Sequence, residues 1–309
     1  MSKHNTKATF AILIATKDGA NFIREQIHSL LDQDLKDFDL IFLDDGSNDE
    51  TLEIIRQETC NADTNIIIKK CNHNSFQKNF LYGLKNIDQQ YKYYAFCDQD
   101  DIWMRDKLQS LLEILEQTDK SKPTMIASRT TIIDYQNNII AESPKFKKSP
   151  SFKNALVQSL AGGNTMVINH ATRNILDQIE DYESVVSHDW ITYILVTAMS
   201  GKVIFSIKPL VHYRFHEKNI IGPNTTLSAR ASRVYSLLKG DFTEWSEKNI
   251  LILSKYNLPK ETQELFNHFK NMRSDNLILR VSSLLKLRPY RQTFMATILL
   301  IFAIVFKKI

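Results

Sequence analysis

The residues of this chain that could do chemistry are gathered in a few short segments. The most crowded is Cys97-Asp98-Gln99-Asp100-Asp101-Ile102-Trp103, with three carboxylates almost adjacent. Carboxylates so close repel one another unless a cation or a ring of hydrogen-bond donors compensates. A divalent metal does this, and Mg²⁺ takes one or two carboxylates while leaving its other positions to phosphate oxygens. The same acids could instead form a turn capping a helix that begins near Met104, because Asp is a good N-cap. A second acidic group is Asp44-Asp45-Gly46-Ser47. One of its carboxylates could accept from a base or ribose hydroxyl while Gly46 allows close backbone approach. Asx-turn chemistry explains the same residues equally well.

Three further segments are less crowded. In Ser187-His188-Asp189-Trp190, a carboxylate beside an imidazole and an indole can be partly desolvated and so strengthened as a general base, or it can cap a helix with the Trp packed beneath it. Val211-His212-Tyr213-Arg214-Phe215-His216-Glu217-Lys218 interleaves cations, imidazoles and aromatics. The Arg214 guanidinium fork matches phosphate oxygens, and with Lys218 and a histidine it could neutralise a diphosphate. Alternatively the segment is a half-exposed strand with Tyr213 and Phe215 facing inward. Ala161-Gly162-Gly163-Asn164 offers a tight turn that would lie against a sugar or serve as a bulge. Asn79, following Lys78, is another polar candidate, expected at the surface.

What must position these residues can be read from periodicity. Residues 9–15 form a compact apolar run of the kind buried in a parallel sheet, and 21–32 repeats apolar residues at helical spacing. Strands at 39–43, 65–69 and 93–97 then alternate with helices at 51–58, 76–87 and 107–116, the pattern of an open, mostly parallel α/β sheet. Ligands of such sheets sit outside the carboxyl ends of the strands. That rule selects the loops at 16–21, 44–49 and 98–103, which hold both acidic groups. A stretch with four lysines at 145–153, preceded by Pro144 and interrupted by Pro150, marks a change of organisation, and a further strand is expected at 165–168. Beyond Pro223 helical patterns dominate, at 228–238, 246–256, 261–269 and 277–287.

Taken in order over Phe10 to Gly222, these segments resemble the family-2 glycosyltransferases of the A-type (GT-A) fold, inverting enzymes that use nucleotide-diphosphate sugars. The opening strand and helix, FLDDGSNDET and FCDQDDIWMRDKL are similar to that family's first βα unit, acidic nucleotide loop and D-x-D metal motif. CDQDDIW with AGGNTMVIN, SHDW and HYRFHEKNIIG is most similar to bacterial rhamnosyltransferases of cell-wall or capsular polysaccharide synthesis. The resemblance implies a Rossmann-like GT-A domain over 8–222 and a helical C-terminal region over 223–309. It implies a base pocket bordered by Ala15, Thr16 and Asp18, with Asp44 or Asp45 on the base and ribose, and Lys78, Asn79 and Gln99 at the donor. Asp98 and Asp100 would hold Mg²⁺ or Mn²⁺, with Arg214 and His216 at the leaving group. Asp189 would be the catalytic base, and Gly162, Gly163, His188 and Trp190 would meet the acceptor. The family often has Glu-Asp where this chain has His188-Asp189. The implied reaction moves a sugar, L-rhamnose from dTDP-L-rhamnose or a hexose from a UDP-sugar, to a hydroxyl of a lipid-linked saccharide.

Composition sets the remaining bounds. The 309 residues are 43% hydrophobic and 24% charged, which excludes a disordered or fibrous chain, and a net charge of +4 is too small for a surface built to hold nucleic acid. Three cysteines without a C-x-x-C pair suit a reducing compartment. The apolar run AILIA is too short for a signal-peptide core, so no export signal is expected. The basic charge is concentrated after residue 269, where eight Lys and Arg accompany a single acid, Asp275. With an apolar stripe from Leu277 to Leu287 and the run 293–306, this tail suits peripheral attachment to the inner face of the cytoplasmic membrane. Packing on the domain or on a second copy of the chain is the alternative. A sugar-nucleotide nucleotidyltransferase would want a Gly-rich phosphate loop where ATKDGANFIRE offers one glycine. A catalytically silent sugar-nucleotide-binding protein or membrane adaptor could lack Asp100 or Asp189, and both are present.

Overall fold

The computed structural model describes residues 8–87, 91–215 and 241–308. Its first half alternates as the sequence predicts: β1 (Phe10–Thr16), α1 (Ile23–Leu31), β2 (Phe38–Asp44), α2 (Thr51–Thr59), β3 (Ile66–Lys70), α3 (Phe76–Asn86), β4 (Tyr93–Asp98), the short β5 (Ile102–Trp103) and α4 (Lys107–Glu116). There follow β6 (Thr124–Ile133), β7 (Ile139–Glu142), α5 (Phe152–Ala155), a 3₁₀ turn (Gly163–Thr165), β8 (Val167–Asn169), α6 (His170–Leu176), α7 (His188–Ala198) and β9 (Lys202–Arg214). Four helices complete the described chain: α8 (Asp241–Leu253), α9 (Lys260–Asn271), α10 (Leu277–Leu287) and α11 (Phe294–Val305). The helix expected at 228–238 lies outside the described residues.

The strands join one sheet in the order β3-β2-β1-β4-β8-β6-β9-β5, with β7 paired to β6. The block β3-β2-β1-β4 is parallel throughout, β8 runs antiparallel to β4 and β6, and β6 is parallel to β9. Because side chains alternate along a strand, β1 feeds two cores. Phe10, Ile12 and Ile14 pack with Ile23 and Ile27 of α1, Ile55 of α2 and Leu108 and Leu111 of α4. Ala11, Leu13 and Ala15 pack on the other face with Phe80 and Leu84 of α3 and Ile191 and Ile194 of α7. That second cluster continues through Leu253, Phe266, Phe269, Leu287 and Ile304, so the C-terminal helices share a core with the sheet. The register aligns Thr16 with Asp44 and Ala15 with Asp98. One row of the sheet therefore brings three of the candidate loops to a common edge.

Candidate functional site

The loops after β1 and β2 are built by the residues expected to meet the nucleotide. Thr16 and Asp44 are buried, and the Thr16 hydroxyl donates to Asp44 Oδ1 at 3.1 Å. Asp44 also accepts from the Gly46 and Ser47 N–H groups at 3.1 Å and from the Ser47 hydroxyl at 2.6 Å, an Asx turn that Gly46 completes at φ +77°. Asp45 points the other way and accepts from the N–H groups of His73 and Ser75 at 2.9 and 3.0 Å. Burial opposes its charge, yet Asn79 and the N–H groups of His73, Asn74 and Ser75 hold the carboxyl below the usual range. Asn79, expected at the surface, is buried beneath Asp45, because Ser75 caps α3 and turns its first helical face inward. Lys78 on the same turn pairs with Glu183. Asp18 is exposed at φ +45°, its N–H bonded to the Ser47 hydroxyl and its carboxylate to the Asn48 N–H. Lys17 donates from its ammonium to the carbonyls of Asp45 and Gly46 at 2.7 and 3.0 Å.

Gln99 ties this first loop to the acidic one. Its amide accepts from the Lys17 N–H and donates to the Lys17 carbonyl, both at 2.9 Å. The acids on either side of it do not cap a helix: α4 starts at Lys107 with Asp106 at its N-cap. Asp101 is fully buried, accepting from the Asn164 amide at 2.5 Å and the Arg214 N–H at 3.3 Å. Arg214, expected at a diphosphate, is buried and committed to protein acceptors: the Asp100 carbonyl at 3.0 Å, Asn137, the Tyr135 carbonyl and the Glu25 carboxylate. Its guanidinium also lies 5.1 Å from the Phe22 ring centroid. The inward residues near the end of β9 are thus Val211 and Arg214, rather than Tyr213 and Phe215. His216 and Lys218 lie outside the described residues.

A residue missed in the sequence completes this cluster. Lys107 is fully buried, its ammonium donating to the Asn164 carbonyl at 2.8 Å and sitting 3.3 Å from the Trp103 ring centroid. Burial lowers its pKa to about 7, against the opposing fields of Cys97, Asp101 and Asp98. The signal was present in its spacing, since Lys107, Leu111 and Leu115 fall on one helical stripe and all three are buried.

The third group comes from α7. Asp189 lies in the first turn, partly exposed, with one carboxylate oxygen accepting from the Trp190 N–H at 2.6 Å. His188 is 3% exposed among the rings of Phe80, Phe96 and Phe76, at 4.5, 4.9 and 6.0 Å between centroids. Neither ring nitrogen has a hydrogen-bond partner, and burial lowers its pKa to about 4 although Asp189 opposes this. Gly163 is buried directly under this ring, where a Cβ would collide with Nε2, whereas Gly162 is exposed. Two expected acceptor residues are thereby corrected. Gly163 serves close packing against His188, and Trp190 turns into the core, donating to the Ala155 carbonyl at 2.7 Å and stacking on Phe242 of α8 at 6.2 Å.

Electrostatics joins the acidic loop to α7. Asp98 has its pKa raised to about 7, first by burial, then by the charges of Asp100 and Asp189, with Lys107 opposing. Burial and the charges of Asp100 and Asp98 raise Asp101 well above the usual range, against its bonds from Asn164 and Arg214. This excess of negative charge is what a dication relieves. Among the described residues no group of three or more His, Cys, Asp or Glu is arranged around a metal position. The donor set fits an ion held by Asp98 and Asp100 and otherwise by substrate oxygens, as Mg²⁺ commonly is.

Comparison with known proteins agrees with this architecture. The family model described as Glycosyl transferase family 2 matches residues 11–179. The dTDP-rhamnosyl transferase RfbG of Shigella flexneri is 27% identical over 236 residues, covering 72% of this chain and 78% of the relative. The structure of TarS 1–349 of S. aureus in complex with UDP-GlcNAc superposes with a TM-score of 0.59 at 16% identity, covering 90% of this chain and 80% of that one. The mannosyltransferase PcManGT of Pyrobaculum calidifontis, in complex with GDP-Man and Mn²⁺, gives 0.56 at 12% identity, covering 97% and 80%. These two structures share the fold. With the family model matching more than half of it, the chain is a glycosyltransferase and belongs to glycosyl transferase family 2.

Proposed function

We propose that the chain is an inverting, metal-dependent transferase that moves L-rhamnose from dTDP-L-rhamnose to a hydroxyl of a growing, lipid-linked bacterial surface polysaccharide. The observation that carries this is the shared electrostatic neighbourhood of Asp98, Asp100 and Asp189, contributed by the end of β4, the loop after it and the start of α7. The name of the Shigella relative supports the donor. A bound Mg²⁺ or Mn²⁺ would offset the negative charge gathered on a departing diphosphate. Residues 8–222 would form the transferase unit, with the region 223–309 serving attachment to the inner face of the membrane.

Asp189 carries the proton transfer in this scheme. One of its oxygens is fixed by the Trp190 N–H, leaving the other to accept the acceptor proton as the hydroxyl attacks the anomeric carbon. Attack from the face opposite the diphosphate is a single displacement, so the configuration inverts. Asp44 and Asp45 act by holding the loops that frame the nucleotide, and Arg214 by holding the backbone of Asp100. Asp189→Asn should bind dTDP-L-rhamnose as the parent does while transfer falls by about a thousandfold. Normal turnover in that variant would exclude Asp189 as the base.

A further inference from the structure

The large exposed apolar side chains of the described residues are concentrated in α10 and α11. Ile278 is 80% exposed, Leu285 64%, Met295 65% and Phe306 67%, and the Phe302 and Phe306 rings stack at 6.4 Å. At 100° per residue, Ile278 and Leu285 share one stripe of α10, and Met295, Phe302 and Phe306 share one stripe of α11. The opposite faces are already used: Leu284 and Leu287 of α10 and Leu300 and Ile304 of α11 are buried in the core, and Arg280 donates to the Val305 carbonyl at 2.9 Å. The outward stripes are therefore a fixed feature of the surface.

Basic residues from two distant parts of the sequence surround them. Lys286, Arg288 and Lys308 are exposed along or beside these helices, as is Lys307, which pairs with Asp275. The lysine-rich stretch 145–153 is stitched to the connection between α10 and α11: Lys148 and Gln292 bond twice through their amides, the Lys148 ammonium donates to the Arg291 carbonyl at 2.7 Å, and Asn154 donates to the Tyr290 carbonyl at 2.8 Å. Exposed Lys145 and Lys147 of the transferase half thereby reach the same end of the molecule as Arg288.

We propose that α10, α11 and the 145–153 strap form one docking surface for an anionic lipid bilayer, with the two helices lying in the plane of its headgroups. The proposal rests on the membrane-face reading above and names the surface that performs it. A twelve-residue α11 spans about 18 Å, well short of a hydrocarbon core of about 30 Å, and no described helix is long and apolar enough to cross a membrane. In a two-fold dimer through this patch like charges would be brought together, whereas anionic headgroups pair with Lys145, Lys147, Lys286, Arg288 and Lys308 alike. The strap makes attachment and the transferase half one rigid arrangement.

The test is co-sedimentation of the full chain with phosphatidylcholine vesicles, with and without phosphatidylglycerol. The chain should bind the anionic vesicles, and Lys147→Gln, Lys286→Gln and Arg288→Gln together should weaken binding about a hundredfold, about fivefold for each cation. Phe302→Ser with Phe306→Ser should remove binding at an unchanged melting temperature. Equal binding of all variants would overturn the proposal, as would a dimer that the phenylalanine variant dissociates while the parent ignores vesicles. Donor binding without vesicles, measured by calorimetry, keeps the two readings separate. A chain that binds donor but no vesicle refutes this surface alone, and one that binds vesicles but transfers no sugar to a lipid extract refutes the proposed function alone.

Discussion

The buried imidazole of His188 should make the protein's stability depend on pH in a window that can be worked out beforehand. Folding lowers its pKa from the ordinary 6.5 to about 4 by burying it among Phe76, Phe80 and Phe96 with no partner on either nitrogen. Above pH 6.5 the ring is neutral in the folded and unfolded chains, and it contributes no penalty. Between pH 6.5 and 4 the unfolded chain takes up a proton that the folded chain refuses, so stability falls as pH falls, by about 1.4 kcal/mol per pH unit. The full loss is about 3 kcal/mol, or about 6 °C in melting temperature for a chain of this size. Other groups titrate in the same range, so the quantity to measure is the difference between the parent and His188→Leu, whose side chain fills the cage and binds no proton. Melting temperatures from pH 7.5 to 4.5 should show the parent falling faster by this amount. Parallel curves would mean that His188 finds a proton acceptor or reaches water, and would refute the closed aromatic cage.

Gly163→Ala should cost about 1–3 kcal/mol, because its Cβ drives into the His188 ring, and a larger fall in turnover than in donor binding would show the disturbance reaching Asp189. Lys107→Met leaves the Asn164 carbonyl without its buried donor and should cost about 1–3 kcal/mol in a melting experiment, whereas an unchanged melting temperature would place the ammonium in water. Trp190→Ala should cost about 3–5 kcal/mol by opening the seam with α8, and limited proteolysis should then release a C-terminal fragment that the parent retains. Asp100→Asn should remove the metal dependence of donor binding, and parent-like behaviour would take Asp100 out of the site.

The parallel half of the fold was legible in the sequence because β1, β2 and β4 are compact apolar runs and the helices between them have one apolar stripe. β6 and β9 were not. In β6 the polar residues Ser128, Arg129 and Thr131 are buried, so neither an apolar run nor alternation survives. β9 carries Pro209, and its pairing with β6 shifts register around Arg129. Strand-end logic found the right edge of the sheet, since it depends only on chain direction. What it could not supply was burial. Arg214 and Lys107 look like solvent cations until the fold encloses them, and whether Trp190 binds or packs is decided only by α8, about fifty residues later. The FLDDGS acids showed the same ambiguity, because Asx-turn geometry and ligand binding ask for the same residues in the same order.

The most direct test of the proposed activity is a calorimetric titration of the purified chain with dTDP-L-rhamnose in Mg²⁺, in Mn²⁺ and in chelator, run beside a panel of UDP-sugars. Saturable binding of dTDP-L-rhamnose that chelator abolishes, and that Asp189→Asn retains, is the predicted result. Preference for a UDP-hexose would contradict the donor, and binding of equal strength in chelator would contradict a metal held by Asp98 and Asp100.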